Sequence, residues 1–294
     1  MRVTDGMTRL QSARDLALAQ RRLASSQRQA SSGLRLQVAS DDPAAAARLL
    51  QTDAQRAALA VDRTSIGRSL GELAAADAAL AGIGDSLARA HEISLAMANG
   101  TMTSSERASA AVEVEDLRQH ILGLANTQVA GIYIFNGQRT DAAPFDPTTG
   151  AFVGDGGVRR IVAAPGQAVE VNVTAAEALT ASGGRDVMAD LTALSTALAS
   201  NDVAGVRAAA GTLTLGQQQV VEARASAGML SARLTSLDST LGDQGLQLDA
   251  ERSRLADADP VSTLSEMALA QHALQAALQA SASILGKLSL VDKL

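Results

Sequence analysis

Apolar residues recur at intervals of seven through both halves of the chain. The N-terminal stripe is Leu59, Ile66, Leu73, Leu80 and Leu87, and the C-terminal stripe is Val206, Leu213, Val220, Ala227, Leu234, Leu241, Leu248 and Leu255. A repeat of seven keeps apolar side chains on one side of a gently supercoiled helix. The stripes therefore predict two long helices, over residues 43–98 and 203–256.

A third, shorter seam predicts a helix over residues 104–128, because its apolar residues alternate steps of four and three. The two longer helices would each extend roughly 80 Å at about 1.5 Å per residue. Their equal lengths and their origin in opposite halves of the chain favour lateral pairing. The predicted fold is therefore mainly α: a long antiparallel helical bundle or coiled coil formed by the N- and C-terminal arms.

Boundary residues agree with these helices. Asp42 is a candidate N-cap, with Pro43 at the first helical position. Asp259 and Pro260 repeat that arrangement before the last predicted helix, and the Ser-Ser-Gly sequence at 31–33 ends the first. Two pairs fit capping boxes, Thr103 with Glu106 and Thr263 with Glu266.

The centre of the chain has strand-like patterns. Residues 132–135 combine isoleucines with aromatics and precede an Asn-Gly dipeptide, which is typical of tight hairpin turns. The predicted hairpin contains Tyr133, Phe135, Asn136 and Gly137. Valines alternate with polar residues over 169–174, as in a half-buried strand, so residues 144–185 are predicted to form a small β-rich outer subdomain.

The two ends of the chain are predicted to be separate helices. Each has few large apolar residues, and a helix of about 30 residues gains little stability without packing. We expect both ends to order fully only against other subunits. The predicted segments are an N-terminal assembly helix with its linker (1–42), bundle helices and hairpin (43–143), the β-rich subdomain (144–185), the long C-terminal bundle helix (186–256) and a C-terminal assembly helix (257–294).

Composition excludes several classes of function. The chain has no cysteine, which excludes disulfides, thiolate metal sites and cysteine nucleophiles. Its net charge of −6 argues against nucleic-acid binding, and an aromatic content of 1% leaves little to line a small-molecule pocket. The N-terminus lacks the apolar core of a cleaved signal, and no apolar run reaches the roughly 18 residues of a membrane span.

Each candidate for catalysis or metal binding has a plainer explanation. The three histidines are isolated and lack metal-site spacing. Asp41 and Asp42 are adjacent, so their side chains point in different directions, and capping explains Asp42. The glycine cluster at 154–157 lacks the Lys-Ser/Thr of a phosphate loop and is interpreted as a turn. We predict no catalytic residue, no metal and no cofactor.

Two segments resemble bacterial flagellins and their relatives. SSGLRLQVASDDPAAAARLL (31–50) looks like the family's connection between its first terminal helix and its long bundle helix. ERSRLADADP (251–260), with the apolar seam that follows it, is similar to the matching C-terminal segment. Pro43, the hairpin segment GIYIFNGQRTDAAPF (131–145) and the final LSLVDKL favour hook–filament junction members over filament flagellins.

The resemblance implies a structural protein that joins the flagellar hook to the filament by axial helical assembly and is needed for motility. It also implies type III export without signal cleavage, to an extracellular position at the junction. The implied partners are copies of this chain, the neighbouring hook-associated protein, flagellin, and an export chaperone at the C-terminal helix; nucleic acid, membrane and small-molecule substrates are not implied. The predicted assembly interface is Leu10, Leu16, Leu23, Leu264, Met267, Leu274, Leu278, Leu285 and Leu288.

Two alternatives also fit the sequence, and a third, an enzyme, lacks support in it. A filament flagellin would have the same chemistry elsewhere in the polymer and would self-assemble into long fibres. A cytoplasmic coiled-coil adaptor would have ordered ends in solution. An enzyme would need a cleft with convergent polar groups, which cannot be assembled from these residues.

Overall fold

The computed structural model describes residues 5–164 and 167–291 of the chain, and these residues form seven α-helices. The helices are α1 (Asp5–Ser32), α2 (Pro43–Met97), α3 (Ser104–Ala125), α4 (Ala175–Leu179), α5 (Val187–Ala199), α6 (Val203–Ala256) and α7 (Pro260–Val291). A single 3₁₀ turn is described at Ala181–Gly183. The predicted mainly α fold is confirmed, with α2 and α6 matching the two long predicted helices.

Two short antiparallel hairpins account for the described strands. They are β1 (Gln128–Val129) paired with β2 (Ile132–Tyr133), and β3 (Arg160–Ala164) paired with β4 (Gln167–Glu170). The β1–β2 turn is Ala130-Gly131, where both residues have positive φ, of 51° and 84°, as tight hairpin turns require. The prediction that Asn136-Gly137 closes the hairpin is therefore wrong: the closing turn precedes Ile132.

Contacts divide the chain into two compact units. The first unit combines Met1–Ala58 with Asp243–Leu294, and the second is Leu59–Gly242. These boundaries cross the predicted five-segment division, which stays a prediction about roles in assembly. Segment 144–185 contributes Phe145, Val169 and Leu179 to the same buried cluster as the helices of the second unit. These described side chains thus share the core of the helices.

The core of the second unit is the predicted heptad stripe. Its stripe residues from α2 are Ile66, Leu73, Leu80 and Leu87, and those from α6 are Val206, Leu213, Val220, Ala227, Leu234 and Leu241, all buried. Two ion pairs, Arg63 with Asp238 and Arg224 with Asp77, show that α2 and α6 are antiparallel here. These exposed pairs add little stability, so the buried stripe holds the two helices together.

The α5 helix completes this core and was not predicted. Its inward side chains, Leu191, Leu194 and Leu198, are fully buried, and α5 packs against α3. Their spacing of three and four is a helical signal. Asp186 begins the helix, because its carboxylate accepts a hydrogen bond from the Ala189 N–H at 2.9 Å.

A buried arginine connects three chain segments in the second unit. Arg107 is only 3% exposed, and its guanidinium donates to the Met97 carbonyl at 2.9 Å, the Asn99 carbonyl at 2.8 Å and the Asn201 Oδ1 at 2.6 Å. The first two acceptors lie where α2 ends, and Asn201, with a φ of 57°, lies in the turn between α5 and α6. All three acceptors are neutral, so the partial negative charge at the end of α2 compensates the cation.

Replacing Arg107 should destabilise the second unit. We expect Arg107→Met to lower the free energy of unfolding by about 2–4 kcal/mol, because three hydrogen bonds of a buried guanidinium to part-buried acceptors are lost. Urea denaturation followed by circular dichroism would measure this as a lower midpoint. The exposed Arg233 offers a matched control, and Arg233→Met should stay within about 0.5 kcal/mol of the parent. Equal midpoints for the two variants would contradict the bridging role.

The α2–α6 stripe can be tested in the same way. Leu80 is fully buried, so Leu80→Ala should cost about 2–5 kcal/mol through lost burial and the cavity it leaves. Leu215 on α6 is exposed, and Leu215→Ala should change the free energy of unfolding by less than about 0.5 kcal/mol. A small effect at Leu80 would show that the stripe does not carry the core.

Candidate assembly interface

The helices α1 and α7 form an antiparallel pair in the first unit, called here the terminal pair. The pair begins where the Ala258 N–H donates to the Gly33 carbonyl at 2.9 Å, between the end of α1 and the start of α7. Gly33 has a φ of 70°, a left-handed conformation that ends a helix. The seam of the pair is narrow, and its buried residues are Ala19, Ser26, Thr263 and Ala270.

The predicted interface residues divide into two sets on this pair. Leu16, Leu23, Met267 and Leu274 are half-buried beside the seam. Leu10, Leu264 and Leu278 are 53%, 56% and 48% exposed. Leu285 and Leu288 belong to α7, but their side chains are outside the described part of the structure. The residues predicted to form one seam thus form two sets. One set packs between α1 and α7, and the other is exposed to solvent in the single chain.

Further apolar side chains extend the uncovered set. Leu18, Val261 and Leu269 are also exposed, at positions that the sequence pattern did not single out. Leu264 and Leu278 lie on one face of α7, since they are 14 residues apart and this spacing is close to four whole helical turns. Large apolar side chains grouped on a surface indicate a contact with another molecule.

Hydrogen bonds join the two linkers that lead to the terminal pair. Leu34 and Asp257 form an isolated antiparallel bridge. The Arg35 N–H donates to the Ala256 carbonyl at 2.7 Å, and its guanidinium donates to the Leu255 carbonyl at 2.7 Å. The same guanidinium lies 3.5 Å from the Asp42 carboxylate. Arg35 therefore connects the end of α6 to the start of α2 within the first unit.

The predicted helix entry caps lie beside these linkers. The Asp42 Oδ1 accepts from the Ala45 N–H at 3.0 Å, and the Asp259 Oδ1 accepts from the Val261 N–H at 3.1 Å. Pro43 and Pro260 are the first residues of α2 and α7. The hydrogen bond from the Ala45 N–H is the main reason that the pKa of Asp42 lies below its ordinary value.

The neighbouring Asp41 has a separate structural role. Its Oδ2 accepts from the Val38 and Gln37 N–H groups, each at 3.1 Å, and these bonds lower the pKa of its carboxyl. The carboxylates of Asp41 and Asp42 thus bind different backbone segments. Asp41 therefore orders the linker before α2, and Asp42 caps the start of α2.

Only one of the two predicted capping boxes is present. Thr103 and Glu106 form the box at the start of α3, with both reciprocal bonds made. Thr263 lies inside the first turn of α7, and its hydroxyl donates to the Asp259 carbonyl at 2.8 Å. The second box is therefore wrong, because Asp259 already caps this helix.

Three of the predicted hairpin residues, Phe135, Asn136 and Gly137, lie in a buried turn of the second unit. This turn holds the neighbouring loops in place. Phe135 and Asn136 are buried, and the Asn136 Nδ2 donates to the Ala142 carbonyl at 2.7 Å. The Asn136 Oδ1 accepts from the Asp155 N–H at 2.9 Å. Gly137 has a φ of 56°, and a side chain there would collide with the Asp155 carboxylate. The glycine cluster at 154–157 therefore packs against the Asn-Gly turn.

The Asp155 carboxylate fixes this turn from the other side. It accepts from the Gln138 N–H at 2.9 Å and the Arg139 N–H at 3.1 Å. Burial raises the pKa of Asp155, but these bonds and one from the Gly157 N–H outweigh it and hold the pKa below its ordinary value. The loop exposes Gln138 and Arg139, whereas Tyr133 is half-buried.

The described part of the chain has neither a metal-binding cluster nor a membrane-spanning helix. Within residues 5–164 and 167–291, no group of three acidic or histidine side chains could hold a metal ion. His91 lies 3.4 Å from the Thr214 hydroxyl, and His120 and His272 are exposed. None of the described helices has the length and hydropathy needed to cross a bilayer.

Family models match both arms of the chain. The model for the bacterial flagellin N-terminal helical region matches residues 3–140, and the model for the C-terminal helical region matches residues 213–291. Flagellar hook-associated protein 3 of Salmonella typhimurium is 31% identical over 275 residues, covering 84% of this chain and 86% of that protein. The Escherichia coli protein of the same name is 29% identical over 284 residues, covering 88% and 89%.

Solved structures agree with these matches. A flagellar hook-associated protein from Vibrio parahaemolyticus superposes with a TM-score of 0.68 at 27% identity, covering 74% of this chain and all (100%) of that one. FlgL from Bacillus cereus superposes with a TM-score of 0.60 at 19% identity, covering 69% and 99%, which shows the shared fold. The chain therefore belongs to the bacterial flagellin family, among the relatives of flagellar hook-associated protein 3.

Proposed function

We propose that this chain, a structural protein of the bacterial flagellum, joins the hook to the filament through axial helical assembly of α1 and α7. The observation that carries the proposal is the exposed apolar set on the terminal pair, which includes Leu10, Leu264 and Leu278. These side chains would leave water only against a neighbouring subunit, and burial of apolar surface stabilises such a contact by about 25 cal/mol per Å².

A helical layer needs head-to-tail contacts in which two different surfaces of each subunit meet. The terminal pair supports this arrangement because its narrow seam of small residues leaves the larger leucines on its outside. Leu16, Leu23, Met267 and Leu274 would close the pair, and the exposed set would contact neighbours. The role is structural and requires no catalytic group.

The proposed partners follow from the same surfaces. Copies of the chain would form the layer, with the neighbouring hook-associated protein on one side and flagellin on the other. The exposed leucines of α7 would need cover before assembly, which supports an export chaperone at that helix. The chain would act outside the cell, at the hook–filament junction, after export without signal cleavage.

Deletion of the gene tests the junction role directly. We expect cells to carry hooks without filaments, to release flagellin into the medium and to lose motility. Electron microscopy of the cell surface and immunoblotting of the medium would measure both effects. Complementation with the parent gene is the control. Full-length filaments on the deletion strain would contradict the proposal.

A single substitution tests the exposed set. We expect Leu278→Asp to abolish incorporation into flagella, since a carboxylate buried in the contact would lose its hydration without a partner. Because Leu278 is 48% exposed in the chain alone, the free energy of unfolding should change by less than about 0.5 kcal/mol.

The matched control is Leu215→Asp, a similarly exposed leucine on α6. We expect this variant to be incorporated and to restore motility to the deletion strain. Immunoblots of isolated flagella would compare the two variants at equal cellular expression. Normal incorporation of Leu278→Asp would show that this face of α7 is not in the contact.

A further inference from the structure

An open cleft of about 410 Å³ lies in the second unit, between α2 and the segment that enters β3. Arginines line it from both sides, and we call it the arginine cleft. The polar side chains that define it are Ser65, Arg68, Ser69 and Glu72 from α2, with Arg159 and Arg160 opposite. Guanidinium groups from separate elements thus lie around one open volume.

Two of these arginines already have carboxylate partners within the chain. The Arg159 Nη2 lies 2.7 Å from the Glu72 Oε2, and Glu72 is buried. The Arg160 Nη2 lies 2.8 Å from the Glu170 Oε1. Among the described residues, Arg68 has no ion pair within 4.0 Å. The cleft therefore keeps one uncompensated positive charge, on Arg68.

A buried donor beside the cleft also lacks a partner. The Arg159 Nε is buried and has no acceptor within the described part of the chain. Its N–H therefore lacks the hydrogen bond that buried donors normally make. A small adjustment of this side chain on binding could direct the N–H to an incoming acceptor. Arg68 and Arg159 together would then supply donors from two sides.

The positive cleft contrasts with the rest of the molecule. The chain has 31 acidic residues against 25 Lys and Arg, for a net charge of −6. A copy of the chain therefore has an excess of carboxylates to offer such a cleft. Complementary charges between two surfaces favour contact and fix its register.

The surface beside the cleft is suited to a protein partner. A second depression continues along α2 from Arg68 and Ser65 to Thr64, Val61 and Ala60. Val61 is 69% exposed, so an apolar contact lies beside the free guanidinium. An inorganic anion would use only the charge. A helix with an acidic side chain next to small apolar ones would use both features.

We infer that the arginine cleft binds the carboxylate of an Asp or Glu side chain from a second copy of this chain in the assembled flagellum. This inference rests on the proposed function, because it requires copies in one layer. A guanidinium can bind a carboxylate through two parallel hydrogen bonds, which fix orientation as well as charge. In a helical layer the same contact would recur at every subunit.

Carbodiimide cross-linking tests the contact. Arg68→Lys introduces an amine into a chain whose two native lysines are Lys287 and Lys293, so a new amide is easily assigned. The carboxylate adds to the carbodiimide and forms an O-acylisourea; the amine then attacks its acyl carbon, so that the amide bond forms and a urea leaves. We expect isolated flagella carrying Arg68→Lys to give a covalent dimer of this chain. Mass spectrometry should place the link between position 68 and an Asp or Glu of the other copy.

Arg233→Lys on α6 is the matched control and should give no dimer through position 233. A flagellum that contains the Arg68→Lys chain but yields no link, a link only to Glu72, or a link only to another flagellar protein would overturn the inference. The proposed function would survive those results, since incorporation itself would be seen. Absence of the parent chain from flagella would instead overturn the proposed function.

Charge reversal provides a second test that does not depend on cross-linking. We expect Arg68→Glu to reduce incorporation at least tenfold relative to Arg233→Glu, with unchanged circular dichroism of the two soluble chains. Arg68→Lys should restore most of the incorporation because it restores the charge. Equal incorporation of the two glutamate variants would overturn the inference.

Discussion

The antiparallel contact between α2 and α6 in the second unit is the interaction on which the rest of that unit depends. Its ion pairs join residues 175 and 147 positions apart, so a long connection must be closed before the stripe can be buried. Closing such a loop costs chain entropy, and the continuous row of buried leucines and valines offsets that cost. The helices α3 and α5 and the central segment then pack onto this pair as one cluster.

Backbone polar groups at helix ends need hydrogen-bond partners, and this need is a second constraint on the fold. Arginine side chains provide such partners at two helix ends. Arg107 supplies donors to the Met97 carbonyl at the end of α2 and to the Asn99 carbonyl just beyond it, and Arg35 supplies one to the end of α6. Unpaired buried carbonyls are costly, and an arginine can satisfy several because its donors are arranged in a rigid fork. Asp42 and Asp259 perform the converse task at helix starts. Specific hydrogen bonds therefore define the ends of the long helices, just as the buried apolar stripe defines the packing of their middles.

The two units differ in how completely they bury their apolar side chains. The second unit encloses large residues such as Phe135, Leu80 and Leu191. The terminal pair in the first unit buries mostly small ones, while Leu264 and Leu278 remain exposed. A helix pair buries only the side chains along its seam, so a wider apolar stripe leaves residues for a further partner. This difference is the physical basis for the proposal that the terminal pair mediates assembly in this flagellin-family protein.

The sequence by itself determined the long helices, their caps and the mainly α class, because heptads, Asp-Pro starts and the Thr103 box are local patterns. Only the tertiary structure decided which distant residues each of these segments contacts. The Asn136-Gly137 turn became a buried support because Asp155, distant in sequence, binds it, and the hairpin closed at Ala130-Gly131 instead. The apolar seam of α7 divided into covered and exposed sets because α1 reaches only one side of it. The arginine cleft likewise could not be predicted from the sequence, because it forms only when folding places residues 159 and 160 beside α2. Contacts between distant segments leave no periodic signal in a single sequence.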